Sequence, residues 1–228
     1  MSQEKIWDAF QNDLGKAASW KGVGPRHRWL ARRIKSGASI LNIGVGNGSL
    51  EDLLCNKGCV VHSLDPSEKT IETLRVRLGL GDRAKTGYSQ EIPFADLMFD
   101  AVIMSEVLEH LDEKTMEITI KEVVRVLKTG GEFIGTVPAE EVLSDNHVVC
   151  PHCGKDFHRW GHLQSFSTAS LGLAIANQGM RLDLIKRLAF VEFSNRSLWG
   201  VFKSCVRYAL GRIGEPMAQA NIVFSAKK

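Results

Sequence analysis

Short apolar runs alternate with helically spaced apolar positions along most of this chain, and no other feature constrains its fold as strongly. Ser39 to Ile43, Cys59 to Leu64 and Phe99 to Met104 are runs of strand length, whereas Thr70 to Leu78 and Thr115 to Leu127 show helical spacing. Strands that alternate with helices indicate a mostly parallel sheet with helices on both faces. We therefore predict a doubly wound α/β fold, with ligands at the carboxyl ends of the strands.

The rest of the chain continues this alternation. The helix over residues 115–127 is predicted to end on a glycine cap at Gly130 and Gly131, just after the basic Lys128. Further strands are predicted at Ala84 to Ser89, Glu132 to Val137, Leu188 to Phe193 and Ala220 to Ser225. A further helix is predicted at Thr168 to Asn177.

The chain has 228 residues, 44% of them hydrophobic, which suits a single domain over residues 1–228. Three segments differ from the rest in composition. Residues 1–36 are a predicted N-terminal helical cap, which a glycine-rich break divides into two helices. Residues 139–167 are a predicted insert rich in cysteine and histidine, and residues 194–219 are a predicted lid-like helical segment.

Composition also narrows the compartment and the partners. A formal net charge of +3 gives no strong nucleic-acid signal, because such binding usually shows as a concentrated basic patch. The first residues lack the basic start and apolar run of a signal peptide, and no stretch approaches the roughly 20 apolar residues of a membrane span. The five cysteines are an odd number scattered over the chain, unlike a secreted disulfide framework. We therefore expect a cytoplasmic protein.

A glycine-rich turn follows the first predicted strand. Gly44, Gly46 and Gly48 let the backbone approach a ligand closely, and Asp65, at the end of the next strand, can bind the two hydroxyls of a ribose. Nicotinamide and flavin enzymes use the same arrangement, but their fingerprint is G-x-G-x-x-G. The spacing here is G-x-G-x-G, which disfavours a dehydrogenase.

Four segments match one known family in order and spacing. They are Ile40 to Gly48, Leu64 to Pro66, Ile92 to His110 and Leu127 to Phe133. Together they resemble the class I S-adenosylmethionine-dependent methyltransferases, and among these the ubiquinone-biosynthesis O-methyltransferases. The resemblance covers roughly residues 25–138 well and the remainder in outline.

The resemblance implies S-adenosylmethionine as the cofactor and a Rossmann-like sheet of seven strands, of which the last is antiparallel. It also implies that the methionine lies over the glycine turn, the ribose on Asp65 and the adenine beside residues 89–91. The residues implied to line the cofactor site are Asn42, Gly44, Val45, Gly46, Asp65, Pro66, Ser89, Gln90, Glu91 and Ser105.

Two positions depart from the family pattern. The family usually has an acidic residue where Asn42 stands, and often an aspartate where Tyr88 stands. An amide can anchor the turn through hydrogen bonds, but it brings no charge to the methionine ammonium group.

Glu106, Glu109 and His110 form an E-x-x-E-H motif after the fourth strand, and a helical turn would place them on one face. His110 and Glu106 are the predicted catalytic residues, with His110 as general base because histidine titrates near neutral pH. In the ubiquinone-type enzymes and the small-RNA 2′-O-methyltransferases the motif is associated with a divalent metal, and the RNA enzymes add a later histidine, for which His162 is the candidate. Capping by Glu106 with local hydrogen bonds is the simpler alternative.

The insert carries Cys150, Cys153, His158 and His162 in a C-x2-C-x4-H-x3-H pattern. Four such ligands can close a tetrahedral site, so we predict structural Zn²⁺ there. A turn with two free thiols is the alternative, and a redox pair is disfavoured because no thioredoxin-like unit surrounds it. Other ligands that the insert offers are His147, His152 and Asp156.

Residues 198–213 combine aromatic with basic positions, which suits packing over the active site or, alternatively, peripheral contact with a membrane surface. The predicted function is methylation of a hydroxyl on a small-molecule, glycan or lipid-linked acceptor. A noncatalytic zinc-containing adaptor and a metal-dependent RNA 2′-O-methyltransferase are the alternatives. The sequence specifies neither the acceptor nor the oligomeric state.

Overall fold

The computed structural model of the protein describes residues 23–190, Val206 and residues 220–228. Its helices are α1 (Val23–Arg33), α2 (Ser49–Asn56), α3 (Glu68–Leu78), α4 (Glu113–Val126) and α5 (Thr168–Ala176). Its strands are β1 (Ser39–Ile43), β2 (Val60–Asp65), β3 (Ala84–Thr86), β4 (Phe99–Ser105), β5 (Leu127–Pro138), β6 (His147–Val149), β7 (Asp156–His158), β8 (Arg181–Leu188) and β9 (Asn221–Lys227).

Seven of these strands form one sheet in the order β3-β2-β1-β4-β5-β9-β8, while β6 and β7 form a separate antiparallel hairpin. The strands from β3 to β5 are parallel to one another, and β9 runs antiparallel to both of its neighbours. The predicted α/β sheet with an antiparallel last strand is confirmed. Because strand order reverses between β1 and β4, their carboxyl ends form the crevice where such sheets bind ligands.

The apolar residues of β1 alternate between two buried layers. Ile40 packs with Leu50 and Leu54 of α2 on one face, whereas Leu41 and Ile43 belong to the layer on the other face. Both faces of the strand are therefore covered, as its largely apolar sequence predicts. This packing fixes the position of the turn that follows Ile43.

Helix starts follow capping residues in the sequence. The side chain of Ser67 accepts the Thr70 N–H at the start of α3, and Asp112 accepts the Thr115 N–H at the start of α4. In α1, the proline lies in the first turn, where the lack of an N–H has no cost. Gly24 and Pro25, two of the residues predicted to break the N-terminal cap, thus lie within α1, and the first helix predicted for that cap lies outside the described residues.

Two predicted boundaries are wrong. Helix α4 does not end on a glycine cap: Leu127 already has extended backbone angles and pairs with Phe99, so the helix passes directly into β5. A strand predicted to begin at Leu188 begins at Arg181 instead and ends at Leu188; it is an edge strand in which polar and apolar residues alternate. Its alternation made it less conspicuous than the apolar run that follows it. Residues 191–193 of the predicted strand lie outside the described residues.

The predicted lid-like segment of residues 194–219 lies outside the described residues, apart from Val206. Within the part of the chain that the structure describes, no helix is both long enough and apolar enough to cross a membrane.

Candidate functional site

The glycine turn after β1 adopts backbone conformations that favour glycine. Gly44 has φ +84° and Gly46 has φ +57°, and Gly48, with φ +73°, precedes the first residue of α2. A Cβ on Gly44 would lie 2.5 Å from Cγ2 of Val107, which follows β4. The turn is therefore closed against the end of β4 and leaves space for glycine alone.

Asp65, the last residue of β2, holds this turn. Its Oδ2 accepts the N–H of Val45 at 2.8 Å, and its Oδ1 accepts the N–H of Ser67 at 2.9 Å. The Gly44 N–H also donates to Leu64 O at 2.9 Å. A carboxylate has about four acceptor positions, so Asp65 can hold the turn and still accept from a ribose. Pro66 follows it, partly exposed.

A buried polar cluster lies beneath the turn. The Asn42 amide donates to Glu51 Oε1 at 2.6 Å, and the Ser63 hydroxyl donates to the same oxygen at 3.1 Å. Glu51 Oε2 and Asn42 Oδ1 are buried and have no hydrogen-bond partner. Burial raises the pKa of Glu51 to about 7, although the hydrogen bonds from Asn42 and Ser63 oppose this shift.

The residues predicted beside the adenine differ in exposure. Ser89 is buried, and its hydroxyl shares a 2.8 Å hydrogen bond with that of Thr119 on α4. Gln90 and Glu91 are exposed. Ser105, at the end of β4, is partly buried and shares a 3.0 Å hydrogen bond with Thr136 of β5. Of these predicted contacts, Gln90 and Glu91 are thus the most accessible to a ligand.

Glu106 does not join the rest of the E-x-x-E-H motif. It has φ +59°, and its carboxylate accepts hydrogen bonds from Asn221 at 2.9 Å and from the Thr136 hydroxyl at 2.8 Å. Arg26 of α1 lies 3.5 Å from the same carboxylate. Glu106 therefore ties the end of β4 to β5, β9 and α1, and it does not cap a helix.

Glu109, His110 and His162 come together instead, each offering a ligand atom within 4.8 Å of the others. Glu109 is 1% exposed, neither of its carboxylate oxygens has a hydrogen-bond partner, and burial with the Glu106 charge raises its pKa well above the usual range. Burial and the neighbouring His162 lower the pKa of His110 to about 3. His110 is therefore a weak general base near neutral pH, which disfavours its predicted role.

Glu141 orients His162 of this cluster through a hydrogen bond. Its carboxylate accepts a short hydrogen bond from His162 Nδ1 and a 2.8 Å hydrogen bond from Asn146 Nδ2, and it lies 3.3 Å from His158 Nε2. With Nδ1 protonated, His162 has its Nε2 lone pair free for a cation. His158 Nδ1 accepts the backbone N–H groups of residues 160 and 162, so this ring carries its proton on Nε2. That tautomer suits a hydrogen-bond donor to Glu141 better than a metal ligand.

The four-ligand zinc set predicted for the insert is not assembled. Cys150 and Cys153 lie in the loop between β6 and β7, whereas His158 and His162 face Glu141. Among the described residues, no group of three or more ligand atoms within 4.8 Å of one another includes either thiol. The hairpin explains this separation, because β7 pairs with β6 and directs His158 away from the loop.

Sequence reasoning missed Glu51, Glu141 and Asn221. Glu51 had a local signal, because it falls between Leu50 and Leu54 on the buried side of α2, where a carboxylate is unusual. The other two had none, since Asn221 lies 115 positions from the Glu106 it contacts and Glu141 acts through the conformation of the insert.

Comparisons with known proteins agree with this geometry. Residues 41–135 match the family model described as a methyltransferase domain. A protein of Mycolicibacterium smegmatis named "Probable S-adenosylmethionine-dependent methyltransferase" is 31% identical over 116 residues, which are 50% of this chain and 44% of that protein. The match thus spans less than half of that relative's length.

Two further relatives cover most of the chain. A ubiquinone biosynthesis O-methyltransferase of Xylella fastidiosa is 25% identical over 221 residues, covering 82% of this chain and 85% of that protein. The structure of a 1,6-didemethyltoxoflavin N1-methyltransferase of Burkholderia thailandensis, with that compound and S-adenosylhomocysteine bound, superposes with a TM-score of 0.68 at 14% identity, covering 99% of this chain and 86% of that one. The latter shows the shared fold.

Sheet order and superposition together show the Rossmann-like fold of S-adenosylmethionine-dependent methyltransferases. The match to the methyltransferase-domain family model, over residues 41–135, runs from the third residue of β1 to the later part of β5.

Proposed function

We propose that this protein is an S-adenosylmethionine-dependent methyltransferase that acts on a hydroxyl of a small-molecule, glycan or lipid-linked acceptor. The turn from Gly44 to Gly48 carries the proposal, because it is held by the Asp65 carboxylate at the crevice between β1 and β4. The cofactor supplies an activated methyl group on a sulfonium. The protein's own task is then to align donor and acceptor and to help remove the hydroxyl proton.

The roles of the residues follow from their positions. Gly44 and Gly46 expose backbone to the amino-acid end of the cofactor, and Asp65 receives the ribose hydroxyls. Glu106 fixes the strand ends around the acceptor side through Asn221 and Arg26. None of these steps requires a covalent intermediate on the protein.

Glu109, His110 and His162 fit a divalent cation. Both Glu109 carboxyl oxygens are buried and have no hydrogen-bond partner, and a cation held together with His110 and His162 would satisfy them. Such a cation would act as a Lewis acid that favours the alkoxide form of the acceptor. This combination favours a hydroxyl acceptor, as does the similarity to a ubiquinone biosynthesis O-methyltransferase over 82% of the chain.

Calorimetry on the full chain tests the cofactor. We expect S-adenosylmethionine and S-adenosylhomocysteine to bind. Transfer of a labelled methyl group from S-adenosylmethionine is then measured over a panel of catechols, sugar alcohols and short RNAs. If neither nucleoside binds, the methyltransferase proposal fails and a noncatalytic adaptor is favoured. Transfer to RNA alone would replace the acceptor class that we propose.

Manganese binding, followed by electron paramagnetic resonance, tests the cation site independently of turnover. Glu109→Gln should lower Mn²⁺ affinity by at least about tenfold, because it removes the one anionic ligand of the group. Glu117→Gln is the matched control, since Glu117 lies exposed on α4 and pairs with Lys121. Equal Mn²⁺ affinity in the two variants would remove the cation from the proposal.

A further inference from the structure

The buried cluster beneath the glycine turn has more acceptors than donors. Asn42 donates its amide N–H to Glu51, and Ser63 donates its hydroxyl to the same oxygen. This leaves Asn42 Oδ1 and Glu51 Oε2 in the interior without a donor, in a chain that buries few such atoms among its described residues. Burying an acceptor without a donor is unfavourable, so the retention of these two calls for an explanation.

Hydrogen bonding links the charge of Glu51 to the turn. Because the Asn42 N–H groups face Glu51 Oε1 at 2.6 Å, the amide oxygen is directed away from Glu51. Asn42 Nδ2 also lies 3.5 Å from Gly44 O, at the first glycine of the turn. The Glu51 carboxylate on α2 thus polarises the Asn42 amide, and the hydrogen-bonded pair extends to the end of β1.

We infer that Glu51, acting through Asn42, supplies the buried negative charge that draws the positively charged amino-acid end of the cofactor to the glycine turn. Glu51 is a positioning residue in this inference, because it is fully buried and its effect passes through Asn42. The inference rests on the proposed function. It also explains how an amide at position 42 is compatible with an ammonium ligand, since the charge stands nine residues later.

Given the charged groups around it, Glu51 is the group whose protonation is expected to change when a cation binds at the turn. On β2, Asp65 disfavours a second negative charge and so acts with burial to keep the pKa of Glu51 near 7. On α1, His27 is neutral, because burial and Arg26 lower its pKa to about 3. Arg77 of α3 is already paired with Asp52. A cationic ligand at the turn therefore favours loss of the Glu51 proton.

Ligand comparison with Glu51→Gln separates charge from structure. We expect the Kd for S-adenosylmethionine and S-adenosylhomocysteine to rise about tenfold, because both carry the ammonium group. 5′-Methylthioadenosine lacks the amino-acid end, so its Kd should change by less than about twofold. Equal weakening of all three ligands would overturn the inference in favour of a purely structural role.

Relocation of the carboxylate provides the second arm. Asn42→Asp combined with Glu51→Gln moves the negative charge to position 42 while the hydrogen-bonded pair is kept. This double variant should recover most of the S-adenosylmethionine affinity that Glu51→Gln loses. If the double variant binds no better than the single one, a charge at this site is not what matters.

A test on the wild-type protein does not depend on whether the variants fold. Calorimetry at pH 7 in two buffers of different ionisation enthalpy should show proton release with S-adenosylmethionine and none with 5′-methylthioadenosine. At or below this pH the ligand's α-amino group, with a pKa of about 7.7–8.0, is mostly protonated, so its own proton uptake on binding is small. Binding without proton release overturns the inference alone, whereas no binding of either nucleoside overturns the proposed function.

Discussion

Gly44 is the residue at which the site has the least freedom. Its φ of +84° is unfavourable for any residue with a Cβ, and the nearest obstacle, Val107 Cγ2, belongs to the loop after β4. The glycine therefore permits contact between the two strand ends that flank the ligand crevice. Gly79, which ends α3 with φ +62°, has a comparable backbone conformation, but no atom lies within 4 Å of the position that a Cβ would occupy there.

Gly44→Ala and Gly79→Ala should consequently differ. Each incurs a backbone cost of about 1–2 kcal/mol in the left-handed region, measurable as a lower free energy of unfolding in urea. Only Gly44→Ala must also displace Val107, so we expect it to weaken S-adenosylmethionine binding by at least about tenfold in calorimetry. Gly79→Ala should bind as the wild type does. Equal binding by the two variants would contradict a role for the turn.

Residues whose roles are local could be predicted from the sequence. The glycine turn and Asp65 end consecutive strands, so strand prediction alone places them together. Glu106 could not be placed in this way, since its partners Thr136 and Asn221 come from later strands. The same holds for His162, which meets Glu109 and His110 only because the insert folds back.

At the scale of elements, hydrophobic patterning predicted the central strands and missed the edge. Buried strands such as β1 and β4 are mostly apolar, whereas β8 is half-exposed and alternates. The junction of α4 and β5 was missed for a different reason. Basic and glycine residues after Leu127 resemble a helix cap, but pairing of Leu127 with Phe99 outweighs that local preference.

The insert is attached to the site through Glu141. Although burial acts in the opposite direction, the hydrogen bond from His162 lowers the pKa of Glu141, so the carboxylate is charged and orients that ring. Leu163 N and Gln164 N both donate to Glu109 O, which fixes the insert against the turn that contains Glu109 and His110. The insert thus acts as a wall of the site even though its cysteines lie elsewhere.

Glu141→Gln should therefore weaken cation binding without unfolding the insert. A neutral amide can donate to His162 Nδ1 as readily as accept from it, so the Nε2 lone pair is no longer fixed toward Glu109. We expect Mn²⁺ affinity to fall about tenfold or more, within the roughly 10–100-fold range typical of lost supporting hydrogen bonds. Asp156→Asn, which alters the exposed pair with His147 in the same hairpin, should leave it unchanged. A larger loss with Asp156→Asn would refute this assignment.

At the scale of the whole molecule, two titratable groups whose pKa values are shifted in opposite directions are buried beside α2. His27 of α1 contacts Ser49 at 2.7 Å, and its pKa is about 3 because of burial and Arg26. Glu51 is buried on the same helix as Ser49, with a pKa near 7. The folded protein loses stability when a falling pH would protonate His27, and also when a rising pH removes the proton from Glu51. Stability is therefore expected to decline on both sides of a plateau.

The signs of the two contributions define that plateau. A histidine with a lowered folded-state pKa contributes fully above its unfolded value of 6.5 and loses that contribution as the pH falls toward 3, which amounts to about 2 kcal/mol at pH 5. A carboxyl with a raised folded-state pKa contributes fully below about 4.5 and loses that contribution as the pH rises through 7. The two slopes oppose each other between about pH 4.5 and 6.5.

Urea unfolding from pH 4 to 8.5 should show this shape and assign each arm. In His27→Asn, whose amide can still bond Ser49, stability should rise as the pH falls from about 6.5 to 4.5, because only the Glu51 contribution remains. In Glu51→Gln stability should fall over that same range, and the decline that the wild type shows as the pH rises through about 7 should be lost. His152→Asn, which changes an exposed histidine of the insert, should follow the wild-type curve throughout. Because each variant is compared with its own stability at pH 6.5, a uniform loss of packing does not imitate the result. Curves that stay parallel to the wild type would mean that neither buried group sets the pH range over which this fold is stable.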